Sequence, residues 1–176
     1  MRLMSRSMTT AAVMYAVAAP SAAAAQAARP NYSGTWVLDS SKSSMTSAMA
    51  DNIPQMAAAT WVIIQHGDTI VMDRETAITG LPAAKSRVVV GTDGKPWKNT
   101  VPQMGGAGDI ETSSVATWES AGLVVRTSGN VQGFDFVQTD RWTLSVDGKS
   151  LVAHRSVTVA DQGEVQAATL TFTKKD

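Results

Sequence analysis

Reactive side chains at workable spacing are scarce in this chain. It has two histidines, His66 and His154. They stand far apart, with neither the His-x-His nor the His-Glu-x-x-His spacing that holds zinc. Met45, Met49 and Met56 carry thioethers of the kind copper(I) accepts, but in an alanine- and serine-rich stretch they read more simply as adaptable packing. Cysteine is absent, which excludes a thiol nucleophile, a disulfide framework and a thioredoxin-like redox pair. No serine sits in a Gly-x-Ser-x-Gly elbow. Asp73, Glu75, Asp135 and Asp140 are dispersed, with no spacing that marks a paired acid and base. The glycines of VPQMGGAGD (residues 101–109) match neither phosphate-loop pattern, and no lysine follows them. No catalysis, no metal site and no cofactor are expected.

Recognition by burial is better supplied. The chain has five tryptophans, Trp36, Trp61, Trp97, Trp118 and Trp142. All but Trp97 fall in runs that alternate with period two, where each either fills a core or lines a pocket. Some of these runs mix polar and small residues with apolar ones: Ser114 and Ala116 accompany Trp118, and Val124 accompanies Arg126 and Ser128. The candidate ligand-binding residues are Trp61, Trp118, Arg126 and Trp142. Arg155 shares a face with Leu151, Ala153, Val157 and Val159, where a charge needs a partner. An interior holding Arg126 or Arg155 would suit an amphipathic guest with an acidic head, such as a fatty acid.

Strands must position these residues, because helical periodicity is rare. Strands are predicted over residues 33–39, 60–66, 69–76, 85–92, 111–119, 123–128, 134–146, 150–160 and 165–173, rich in valine, threonine, isoleucine and tryptophan. Glycine and aspartate mark the reversals between them, as in His66-Gly67-Asp68, Thr92-Asp93-Gly94-Lys95 and Val146-Asp147-Gly148-Lys149. Connections this short make neighbouring strands antiparallel. A meander without helices must cover its apolar face with itself, and closing the sheet also removes its edges. The expected fold is all-β, an antiparallel up-and-down barrel of 8–10 strands, with a two-sheet sandwich as the alternative. Residues 40–59 should form one or two short helices after the first strand, placed as a lid would be.

Residues 1–27 have the order of a secretory signal peptide. Arg2 and Arg6 lead, an apolar stretch follows, and small residues end it near Ala25 or Ala27. The stretch is too alanine-rich for a convincing membrane span. Removing residues 1–25 takes away Arg2 and Arg6 and no acid, which leaves 13 basic residues against 15 acidic ones. That near-neutral balance argues against nucleic acid as a partner. A periplasmic or secreted protein is expected, with its barrel domain over residues 28–176.

Asn31-Tyr32-Ser33-Gly34-Thr35-Trp36-Val37-Leu38-Asp39, with Lys42-Ser43 after it, resembles the opening of secreted bacterial lipocalin-like (calycin-type) β-barrel proteins. Arg141-Trp142-Thr143-Leu144-Ser145-Val146-Asp147-Gly148-Lys149-Ser150-Leu151 is similar to a hairpin that group carries near its C-terminus, one residue tighter at the Arg-Trp step. Gly34-x-Trp36 also resembles the first lipocalin signature. Thr139-Asp140 resembles the second, with Arg141 where an aromatic residue would stand. The resemblance implies a barrel whose interior can hold a small apolar molecule. Independently of it, Gly34 would allow a sharp bend and Trp36 would plug the closed end, with Arg155 as the cation over its ring. The expected function is non-catalytic binding of a small hydrophobic or amphipathic molecule in the barrel interior. The alternative is an envelope-associated structural or protein-interaction module with a packed interior.

Overall fold

A computed structural model of the chain describes residues 29–47, 56–103, 108–119 and 122–176. The segment read as a signal peptide lies outside these residues. Alternating side chains and tight turns produce eleven strands in one antiparallel sheet: β1 (Gly34–Leu38), β2 (Ser44–Ser47), β3 (Met56–His66), β4 (Thr69–Ile78), β5 (Ala84–Gly91), β6 (Trp97–Pro102), β7 (Asp109–Glu119), β8 (Gly122–Val131), β9 (Phe134–Leu144), β10 (Ser150–Val159) and β11 (Gly163–Lys175). The order across the sheet is β5-β4-β3-β1-β11-β10-β9-β8-β7-β6. Hairpins therefore give an up-and-down meander, and the N- and C-terminal strands close on each other. Among the described residues no helix is long and apolar enough to cross a membrane.

Two stretches differ from expectation. Of the helical segment expected over residues 40–59, the described residues contain a single 3-10 turn, Ser40–Lys42, with Asp39 capping it through Ser41 N–H. The chain then resumes as β2, which pairs with Gln166–Thr169 of β11 beyond the point where β1 has paired with Phe172–Lys175. β1 and β2 are thus one stave interrupted by a turn. Residues 48–55, the rest of the expected lid, lie outside the described residues. The second difference is β6, a strand where a turn and a glycine-rich loop were expected to meet. Between β6 and β7, Gln103 N–H donates to the Gly108 carbonyl at 2.8 Å, and residues 104–107 lie outside the described residues.

β5 and β6 are the two ends of the sheet, and their meeting is the seam of the barrel. No backbone ladder joins them among the described residues. The Asn99 side chain bridges the gap instead. It accepts from Val89 N–H at 2.7 Å through Oδ1 and donates to the Val89 carbonyl at 3.0 Å through Nδ2. A primary amide offers one acceptor and two donors, so it imitates a peptide group on the missing neighbour.

One end of the barrel is closed by aromatic rings. Tyr32, Trp36, Trp61, Trp142 and Phe172 are all buried there. Tyr32 stacks on Trp118 at 6.0 Å and meets Trp142 edge-on at 5.7 Å, while Trp61 lies 4.2 Å from Phe172. The chain before β1 crosses this floor, fastened by the Tyr32 hydroxyl, which donates to the Trp142 carbonyl at 2.9 Å. Gly122 makes that contact possible. Its φ of +147° suits only glycine, and a Cβ there would lie 1.9 Å from the same carbonyl oxygen.

Candidate functional site

Above the aromatic floor the strands enclose a lumen of about 320 Å³. Alternation decides what faces it. On β4 the inward set includes Met72, Arg74 and Thr76, and on β5 it includes Ala84, Ser86 and Val88. Asp73 and Glu75 point the other way, where Arg87 and Lys85 meet them on the outer surface. The lumen is layered. Trp142, Met72 and Val88 surround its lower part, Trp61 stands opposite Arg74, and Met56, Val101, Pro102, Ile110, Val131 and Phe136 surround the way out. Between them lies a polar belt containing three charged residues, Arg74, Asp140 and Arg155.

The belt is asymmetric. Asp140 and Arg155 face each other across β9 and β10. Arg155 donates to both carboxylate oxygens, Nε to Oδ1 at 2.7 Å and Nη2 to Oδ2 at 3.1 Å. Gln138 Nε2 adds a third bond to Oδ2 at 2.7 Å. This forked, buried pair satisfies the carboxylate. Arg74 has no such partner: its Nε donates to the Ser86 hydroxyl at 3.2 Å, and no carboxylate lies within 4 Å of it among the described residues. Burial draws its pKa down to about 10, nearby Arg155 pushes the same way, and Asp140 opposes them. Another donor is unmatched, since Trp142 Nε1 is buried with no acceptor among the described residues.

The residues singled out from sequence separate into three groups. Trp61 and Trp142 line the lumen. Trp118 does not: it lies beneath the floor, half-buried, with the Arg29 guanidinium 5.5 Å from its ring. Arg126 is also displaced, because β8 turns Val125 and Thr127 inward and leaves Arg126 exposed on the outer face. The phase of β8 is thus opposite to the one expected from the run Val124, Arg126 and Ser128.

The closing residues are likewise redistributed. Trp36 is fully buried at the closed end, its Nε1 donating to the Tyr32 carbonyl at 2.8 Å. The cation over its ring is Lys174, 5.3 Å from the centroid, and not Arg155, which is engaged with Asp140 in the lumen. Gly34 leaves the room Lys174 needs, as a Cβ at Gly34 would come within 2.5 Å of Lys174 Cε. Lys174 pairs with Trp36 across β1 and β11, a neighbour relation that sequence spacing alone does not reveal.

Arg74 is the functional candidate that sequence reading missed. Its phase with Ile70 and Met72 was a usable signal, but Asp73 and Glu75 on either side gave the stretch the look of a solvated face. His66 and His154 are both exposed on the outside of the barrel. No protein-family model matches the chain, and no curated protein is significantly similar to it.

Proposed function

We propose that the protein is a secreted or periplasmic binding protein that takes up a small amphipathic molecule in its barrel lumen and releases it unchanged. One observation carries this reading: the interior is not filled by side chains but holds about 320 Å³ of space between an aromatic floor and an apolar mouth. Volumes above roughly 300 Å³ with apolar walls and a few convergent polar groups are typical of small-molecule sites. Non-catalytic use is favoured by the bonding of Asp140, the one carboxylate lining the lumen among the described residues. Its three hydrogen bonds from Arg155 and Gln138 leave it poorly placed to act as a base.

Titrating the protein with an environment-sensitive lipophilic probe tests this reading, because Trp61 and Trp142 line the lumen and their emission should report occupancy. Saturable quenching at one probe per chain is expected. A linear, unsaturable response would overturn it. Native mass spectrometry of protein purified from its own host would then show the resident molecule directly.

A second reading has its own observation. Val37, Val62 and Ile64 are exposed on the outer face of β1 and β3 at 40%, 38% and 53%. Such a cluster is what a surface interaction module would present. Concentration-dependent self-association, abolished by Ile64→Lys with probe binding intact, would favour it.

A further inference from the structure

Resting on the reading of the lumen as a binding site, we propose that its guest carries a single anionic head, a carboxylate in the simplest case, held by Arg74 with the apolar part directed to the mouth.

Charge is the first reason. The lumen wall contains Arg74, Arg155 and Asp140. Arg155 and Asp140 cancel through a forked pair, so the interior retains one positive charge from the described lining residues. A guanidinium whose pKa is near 10 is still protonated at neutral pH. A charge withdrawn from bulk water calls for a counter-charge; Arg74 is half-buried, and none of the described carboxylates lies within 4 Å of it. One anion neutralises the belt, a neutral lipid leaves Arg74 unmet, and a dianion reverses the sign. The planar guanidinium matches a carboxylate through two parallel hydrogen bonds.

Layering sets the direction. Arg74 lies four residues below Ile78, the last residue of β4. At about 3.3 Å per residue on a tilted strand, that is roughly 10 Å beneath the rim. Trp61 pairs with Arg74 across β3 and β4, Trp142 lies below against the floor ring of Tyr32, and Val101, Pro102, Val131 and Phe136 line the space toward the mouth. An amphiphile entering head first would place its anion on the belt and its chain against these apolar side chains. The lumen of about 320 Å³ holds about ten water-sized atoms, which points to short amphiphiles rather than full-length lipids.

Octanoate and octanol test the proposal, because they share a chain and differ in head charge. Binding to the protein and to Arg74→Gln is followed by calorimetry at pH 7, with Arg126→Gln as a control on the outer face. Octanoate is expected to bind the unmodified protein at least tenfold more tightly than octanol. Arg74→Gln should bring octanoate down to the octanol level without changing octanol, and Arg126→Gln should change neither. Equal affinity for the two compounds, or an Arg74→Gln variant that keeps the preference, overturns the anion anchor while the lumen remains a binding site. Failure of both compounds to bind the unmodified protein overturns the lumen reading itself. If Arg74→Gln does not fold, the comparison of the two compounds on the unmodified protein still decides.

Discussion

Arg74 is held in the protein at a cost. Its pKa falls from the ordinary guanidinium range to about 10 because burial disfavours the charged form. The unfolded chain therefore holds this proton more tightly than the folded one. The penalty is complete below pH 10 and is lost as pH rises above about 10 toward the ordinary guanidinium pKa. Replacing a half-buried cation that has no carboxylate partner among the described residues by an apolar residue of similar length should thus stabilise the unliganded barrel. Arg74→Met is expected to gain about 1–3 kcal/mol in a urea melt at pH 7. A loss of stability would mean that Arg74 is already compensated. Asp140→Asn should do the opposite and cost about 3–5 kcal/mol, because it strands Arg155. The same titration governs binding. Octanoate affinity should be flat around neutrality and decline above about pH 10, where free Arg74 loses its proton. Arginine phase was also where sequence reasoning faltered. Arg126 follows three apolar residues in a row, Leu123-Val124-Val125, so either phase of β8 looked acceptable, and packing of Leu123 and Val125 against the core decided it.

The strands whose apolar residues alternate against polar ones were readable, and the two that do not alternate were missed. β2 reads Ser-Met-Thr-Ser, with too little apolar content to distinguish a strand from a loop. It forms because the upper part of β11 offers it an unpaired edge beyond β1. β6 reads Trp-Lys-Asn-Thr-Val-Pro, and asparagine and proline both argue against a central strand. The structure explains both exceptions, since β6 borders the seam and Asn99 is the residue that spans it. Removing that amide leaves the Val89 N–H and carbonyl unpaired. Asn99→Ala should therefore cost about 1–3 kcal/mol. Its signature would be local, with amide exchange at Val89 accelerated more than at Val125 in β8. Uniform acceleration across the barrel would show that the seam is not an independent weak point.

A barrel with an open lumen divides its interior between stability and binding, and here the division runs along the barrel axis. The closed end is filled by Tyr32, Trp36, Phe172 and their neighbours, fully buried and tied to the crossing chain by two hydrogen bonds from Trp36 and Tyr32. The part above it keeps space. The motif around Gly34 and Trp36 was readable because it serves the filled part, where one large side chain must fit one place. The charge belt was only partly readable, because its members come from β4, β9 and β10 and meet only once the sheet has curled. Substitutions should separate the two functions. Trp36→Ala removes a fully buried indole that does not line the lumen. It should cost about 3–5 kcal/mol while leaving octanoate affinity unchanged in the folded population. Trp61→Ala removes a ring that both packs on Phe172 and walls the lumen, so stability and affinity should fall together. Octanoate at a hundred times its dissociation constant should restore about 2.7 kcal/mol to Trp36→Ala but less than that to Trp61→Ala at the same concentration. If both variants lost affinity equally, the aromatic floor and the binding space would be one cooperative unit, and the lumen would not be a site set apart from the core.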